Sequence, residues 1–252
     1  NIRDETSSRV ALQGASAVIN AVGILYETGP QKFDAVQSAG AARLATLAAE
    51  QGIDRFIQIS AIGADASSAS AYARSKAEGE AAILAACPQA HVLRPSIVVG
   101  PEDDFFNRFA RMAQIAPALP LIGGGLTRYQ PVGVFDVAQA VDACLDGAPS
   151  GIYELGGPQV YTFRELMELM LDKIGKRRLL APLPFAVAGM LAQFTRFLPT
   201  PPLTPDQVIL LRSDNVVADN LPDLASLGIE ATRIEALLDS YLGRYRGASK
   251  AV

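Results

Sequence analysis

The chain has 252 residues, half of them apolar and 19% charged, which is ample for a packed core and unlike a disordered chain. A net charge of −4 excludes sequence-independent nucleic-acid binding, which needs a basic face. No run of about 20 uncharged apolar residues occurs, so no membrane span is predicted.

In chain order, Ala17 to Gly23 is a short apolar run closed by glycine, a buried strand with Asn20, Ala21, Val22 and Gly23 at its carboxyl end. Asn20 there can cap a turn or face a cofactor. Phe33 to Gln51 is Ala-rich, carries Val36, Leu44 and Leu47 along one side and ends at Gly52, hence a helix. Arg55 to Ser60 is the next strand, Ala61 to Ser70 a loop of small residues, and Tyr72 to Ala86 a helix. His91 to Val99 reads as one strand stopped by Gly100-Pro101. Phe105 to Ala116 is an amphipathic helix whose first turn is marked by Asp103-Asp104, and Pro117 to Gly125 reads as a loop. A helix from Phe135 to Leu145 and a strand from Gly151 to Leu155 follow. Thr162 and Glu165 then form a capping box that opens a helix ending near Gly175.

Strands alternating with helices of this length predict an α/β fold, a doubly wound parallel sheet with a small C-terminal lobe. Residues 1–158 are expected to form the dinucleotide-binding part, with 101–130 turned to the substrate side, and 159–252 the lobe. No G-x-G-x-x-G occurs, and Gly123-Gly124-Gly125 does not lead straight into a helix. A β-α-β-α-β unit of about 60 residues is therefore expected ahead of Asn1.

Tyr72 and Lys76 stand four apart in a helix, so both project from one face. A phenol is a poor acid or base at neutral pH; an ammonium one turn away favours the phenolate and makes it usable for proton transfer. His91, the single histidine, reads as structural, and no metal site is predicted. Cys87 and Cys144 have no C-x-x-C and no neighbouring His, and suit reduced, buried thiols of a cytoplasmic protein.

With Asn20 to Gly23, Ser60, Tyr72-x-x-x-Lys76 and Arg94 to Pro101, the chain resembles the extended or atypical short-chain dehydrogenase/reductases. Within them it is most similar to the group formed by the nucleotide-binding accessory subunit of respiratory complex I and its bacterial relatives. Asn1 to Asp4, Ala21 to Glu27, Tyr72 to Lys76, Gly100 to Asp103, Gln130 to Val132 and Leu227 to Ile229 carry that closer match. The resemblance implies a cofactor, NADP or NAD. Asn1 and Ile2 would lie against its adenine, and Ala21, Val22 and Gly23 would let the backbone approach its ribose and phosphates. Lys76 would hold nicotinamide-ribose hydroxyls and tune Tyr72, while Pro95, Ser96, Ile97 and Val98 would bring backbone groups to the carboxamide. Ser60 is the candidate for polarising a substrate carbonyl, yet Ala61 occupies the next position, where many extended members place that hydroxyl.

Two functions follow. One is an accessory subunit that holds the dinucleotide tightly without turnover; the other is an active reductase or nucleotide-sugar epimerase in which Tyr72 moves the proton. The basic Lys176-Arg177-Arg178 and the nearly uncharged stretch Pro184 to Phe194 fit either a partner or membrane interface across 176–198, or a helix packed under the lobe. The expected setting is cytoplasmic, or peripheral on the inner face of an energy-transducing membrane.

Overall fold

A computed structural model of the chain describes residues 1–195, 198 and 201–246. The elements begin with α1 (Glu5–Ala11), β1 (Val18–Asn20), a π-helical turn (Asp34–Ser38), α2 (Ala39–Glu50), β2 (Phe56–Ile59), α3 (Ala71–Ala86) and β3 (His91–Pro95). Next come β4 (Val98–Val99), α4 (Asp104–Ile115), β5 (Ala118–Ile122), β6 (Arg128–Tyr129), β7 (Val132–Gly133), α5 (Val134–Leu145) and β8 (Gly151–Leu155). The remainder is β9 (Tyr161–Thr162), α6 (Phe163–Lys173), β10 (Leu179–Leu183), α7 (Phe185–Thr195), α8 (Pro205–Leu210) and α9 (Ile234–Tyr241). They form two compact units that interleave along the chain. The first comprises Asn1–Pro95, Ala138–Leu155 and Ala218–Ile229; the second comprises the intervening segments and Glu230–Val252.

The first unit holds a four-stranded, all-parallel sheet in the order β1-β2-β3-β8, with Ile57 opposite His91 and Arg94 opposite Glu154. This is the Rossmann-like sheet that the alternation of elements predicts. Its strands are short and apolar because both faces are covered. Val18, Phe56, Ile83 and Ala90 pack with Leu12, Ala45 and Leu47 into one core. Ser70 caps α3 by accepting from the Ala73 amide at 3.2 Å. The His91 Nε2 lies 2.9 Å from the Ala148 carbonyl and the ring stacks on Tyr153. Both cysteines are buried and free, and burial pushes the Cys144 thiol up to about 11.

Three expectations change. Phe33 to Gln51 is not α-helical from its start, because the π-turn at Asp34–Ser38 precedes α2. His91 to Val99 is not one strand. Pro95, which has no amide hydrogen, ends β3, and Val98–Val99 pair instead with Val132–Gly133. Pro117 to Gly125 is not a loop throughout, since Ala118–Ile122 forms β5 and pairs in parallel with β10. Proline at 120 and 182 argues against strands, yet a two-stranded ribbon needs donors along one edge only.

The second unit has its own core, in which Phe106 and Ala110 of α4 meet Phe163, Leu166 and Met170 of α6 and Leu238 of α9. Asp103 caps α4, accepting from the Phe106 amide at 2.5 Å, and the Thr162–Glu165 capping box is present. Helix α7 buries only Ala188 and Ala192, against Val208 of α8.

Helix α3 passes close to the backbone of the π-turn at Gly79. A Cβ built on Gly79 would stand 2.1 Å from the Gln37 carbonyl oxygen, so only a hydrogen fits. Gly79→Ala is expected to destabilise the fold by about 2 kcal/mol through forced backbone separation. Thermal unfolding of both proteins checks this; an unchanged melting temperature would contradict the packing.

Candidate functional site

The site is built at the carboxyl ends of β1 and β2, against α3. Beyond β1 the chain turns at Asn20, whose buried side chain donates through Nδ2 to Gln58 Oε1 at 2.7 Å and accepts at Oδ1 from the Val22 amide at 3.2 Å. Asn20 is thus the cap of the turn that carries Ala21, Val22 and Gly23. A second polar clamp follows. Gln37, on the π-turn, accepts from the Ile24 amide at 3.0 Å and donates to Ser75 Oγ at 2.9 Å. One buried amide therefore ties the loop after β1 to α3.

Helical spacing sets Tyr72, Lys76 and Glu80 on one face of α3. The Lys76 side chain is buried, and its Nζ donates to the Ile59 carbonyl at 3.3 Å. A Cβ on Gly23 would lie 3.3 Å from that Nζ and 3.6 Å from Gln37 Oε1, so glycine lets the backbone pass beside the ammonium. Burial pushes Lys76 down to about 8, with the Glu80 charge acting in the opposite direction. The group stays predominantly protonated at neutral pH. Its Nζ stands 5.9 Å from the centre of the half-buried Tyr72 ring, which also meets Phe33 edge-on at 5.8 Å.

Ser60 is engaged by the acid one turn beyond Lys76. Its hydroxyl donates to Glu80 Oε1 through a short hydrogen bond. Arg94 grips the same carboxylate through Nε at 3.1 and 3.2 Å and through Nη2 at 2.6 Å. Arg94 Nη1 also stands 3.6 Å from Glu154, whose other oxygen accepts from the Ala218 amide at 2.9 Å. The group is charge-assisted, bidentate and buried.

The remaining predicted residues have the following partners. The Ile2 carbonyl accepts from Arg43 at 2.9 Å, its side chain lies against Gly40 of α2, and Asn1 is exposed with Oδ1 accepting from the Arg3 amide. Pro95 ends β3, where its carbonyl accepts from the Ile62 amide at 3.1 Å. Ser96, Ile97 and Val98 belong to the second unit. Ser96 Oγ sits 2.6 Å from Asn215 Oδ1, the Ile97 carbonyl accepts from Val132, and Val98 pairs with Val132. Gln37, Gln58, Glu80 and Glu154 were not among the expected site residues. Glu80 was traceable, being one turn beyond Lys76; Gln37 and Gln58 showed only as polar residues within apolar segments.

Residues 1–156 match the family model described as the NAD dependent epimerase/dehydratase family. The chain is 38% identical to the mitochondrial NADH dehydrogenase [ubiquinone] 1 alpha subcomplex subunit 9 of Arabidopsis thaliana, over 97% of this chain and 64% of that protein. It is 33% identical to the subunit of the same name in Mus musculus, over 97% of this chain and 66% of that protein. It thus spans just under two thirds of the length of these relatives. The UDP-glucose 4-epimerase of Thermotoga maritima, solved with UDP-glucose, superposes with a TM-score of 0.73 at 17% identity, covering 97% of this chain and 82% of that one.

The buried ammonium has a measurable signature. Unfolded, Lys76 keeps its proton to the ordinary value of 10.5; folded, only to about 8. Between those values the unfolded state binds more protons, so stability rises with pH across the window. Lys76→Met is expected to abolish that rise. Urea midpoints measured from neutral pH upward check it, and equal slopes in both proteins would contradict it.

Proposed function

The chain belongs to the NAD dependent epimerase/dehydratase family, and from that premise we propose that its first unit binds a nicotinamide dinucleotide, NAD or NADP, at the carboxyl ends of β1 and β2. One observation carries this reading, the buried Lys76 ammonium beside the Gly23 backbone. An ammonium has three N–H donors, and the Ile59 carbonyl at 3.3 Å is a long partner for one of them. Vicinal hydroxyls of a ribose suit the others. Gly23 offers backbone with no side chain in the way, which close approach to a ribose or phosphate requires. When bound, the dinucleotide supplies hydride chemistry at its nicotinamide ring. In this chain Lys76 would donate to the ribose and Tyr72 would hold or release a proton at its phenol oxygen.

The reading favoured is a tightly held cofactor without turnover, as in a protein akin to the respiratory NADH dehydrogenase accessory subunits. The support is local. The Ser60 hydroxyl donates to Glu80, and the next side chain, Ala61, is a methyl. A lost donor to a developing oxyanion can cost about 100- to 1000-fold in rate. A second reading, an active reductase or epimerase, is favoured by the intact Tyr72/Lys76 pair. Docking on a respiratory assembly or its membrane is supported by α7, which exposes Val187, Met190, Leu191 and Phe194. Arg196 and Phe197 of the 176–198 segment lie outside the described residues. Among the described residues no helix is long and apolar enough to cross a membrane.

Denaturing the full-length protein is expected to release a stoichiometric dinucleotide, identified by ultraviolet spectrum and mass. Tyr72→Phe should retain it. No nucleotide released and none bound on titration would remove the reading; a loss of about 100-fold or more in carbonyl turnover on Tyr72→Phe would favour the enzyme instead. For the docking surface, Met190→Glu with Phe194→Glu should abolish sedimentation with respiratory membranes while leaving nucleotide content unchanged. Sedimentation as before would sink that part.

A further inference from the structure

We propose that Glu80 is a positioning residue of this site: fixed by Arg94 and Ser60, its buried carboxylate is the counter-charge that keeps the Lys76 ammonium protonated beside the Gly23 backbone. The inference rests on the dinucleotide reading above only for what the ammonium is used for. Its geometry stands alone. Glu80 is 4% exposed and Lys76 7% exposed, one helical turn apart on the same face of α3. Burying either charge alone is strongly unfavourable, and each lowers the penalty of the other.

The carboxylate is held in one place from three sides. Arg94 of β3 reaches it through Nε and Nη2, and Ser60, just past β2, donates a hydrogen bond to it from its hydroxyl. Arg94 is itself placed by Glu154 of β8 at 3.6 Å. Against Lys76, α3 also sets the Tyr72 phenol, the β1 loop sets Gly23, and β2 sets the Ile59 carbonyl, none of which carries a full charge. Arg94 and Glu154 lie beyond Glu80. Burial already pushes Lys76 down to about 8, and the only charge acting to hold it up is Glu80. Ser60 in this arrangement serves the carboxylate, not a substrate.

The test reads Lys76 directly. Its side-chain titration is followed by NMR in the nucleotide-free full-length protein, as wild type, Glu80→Gln and Glu80→Asp. In parallel, NADH and NADPH affinity is measured across the same pH range. The lysine midpoint is expected to fall by about half to one pH unit in Glu80→Gln, and by less in Glu80→Asp, where the charge is kept but withdrawn by one carbon. Loss of affinity with rising pH should move down with it. Should Glu80→Gln fail to fold, Glu80→Asp decides. A midpoint unmoved in the folded variants overturns the proposal, whatever binds. A midpoint that falls in a protein binding neither dinucleotide upholds the role of Glu80 and instead removes the nucleotide reading.

Discussion

An ammonium buried at the carboxyl edge of a parallel sheet is unfavourable unless something nearby offsets its lost hydration. Lys76 occupies such a place, and the first unit is arranged around it. The Ile59 carbonyl accepts from its Nζ, Gly23 leaves it room, and Glu80 supplies the opposing charge. Glu80 in turn requires Arg94, and Arg94 is shared with Glu154. Strands β2, β3 and β8, helix α3 and the residues just past β2 are thus joined by one charged group. Removing one partner would leave a buried charge without compensation, which is more damaging than the net worth of the pair suggests.

The same arrangement explains why the backbone comes so close here. Gln37 holds the loop after β1 to α3, and Gly79 lets α3 press on the π-turn that carries Gln37. The π-turn is itself informative, since such irregularities within helices are frequent at functional sites. With a regular α-helix from Phe33 onward, Gln37 would project in a different direction and the clamp would be lost. The local irregularity and the position of Gly23 are two ends of one constraint.

Binding and turnover would draw on different residues. Lys76, Tyr72 and Gly23 are what a dinucleotide would need; a polarising hydroxyl is what a carbonyl substrate would need. Ser60 is tied to Glu80 by a network whose members are all buried or nearly so. A protein of this family could keep the first set intact while the second is weakened, and a dinucleotide held there would stabilise the fold by mass action.

Much of the first unit is legible in the sequence. Alternating short apolar runs and Ala-rich helical stretches specify the parallel sheet, because period and length suffice to separate strands from helices. Four-residue spacing places Tyr72 and Lys76 on one face, and Thr162-x-x-Glu165 announces its helix start; these are local features that any helix would show. What pairs across long separations is not written locally. Strand β10 joins β5 over some sixty intervening residues, with prolines that speak against both. The break at Pro95 is visible as a residue, but the pairing of Val98 with Val132 is not. The spacing of Glu80 from Lys76 is visible in the sequence, but its partners Arg94 and Ser60 are brought to it only by the sheet. Which way the Ser60 hydroxyl points was decided only by tertiary structure, since a hydroxyl follows its nearest strong acceptor and the sequence does not say which acceptor that is.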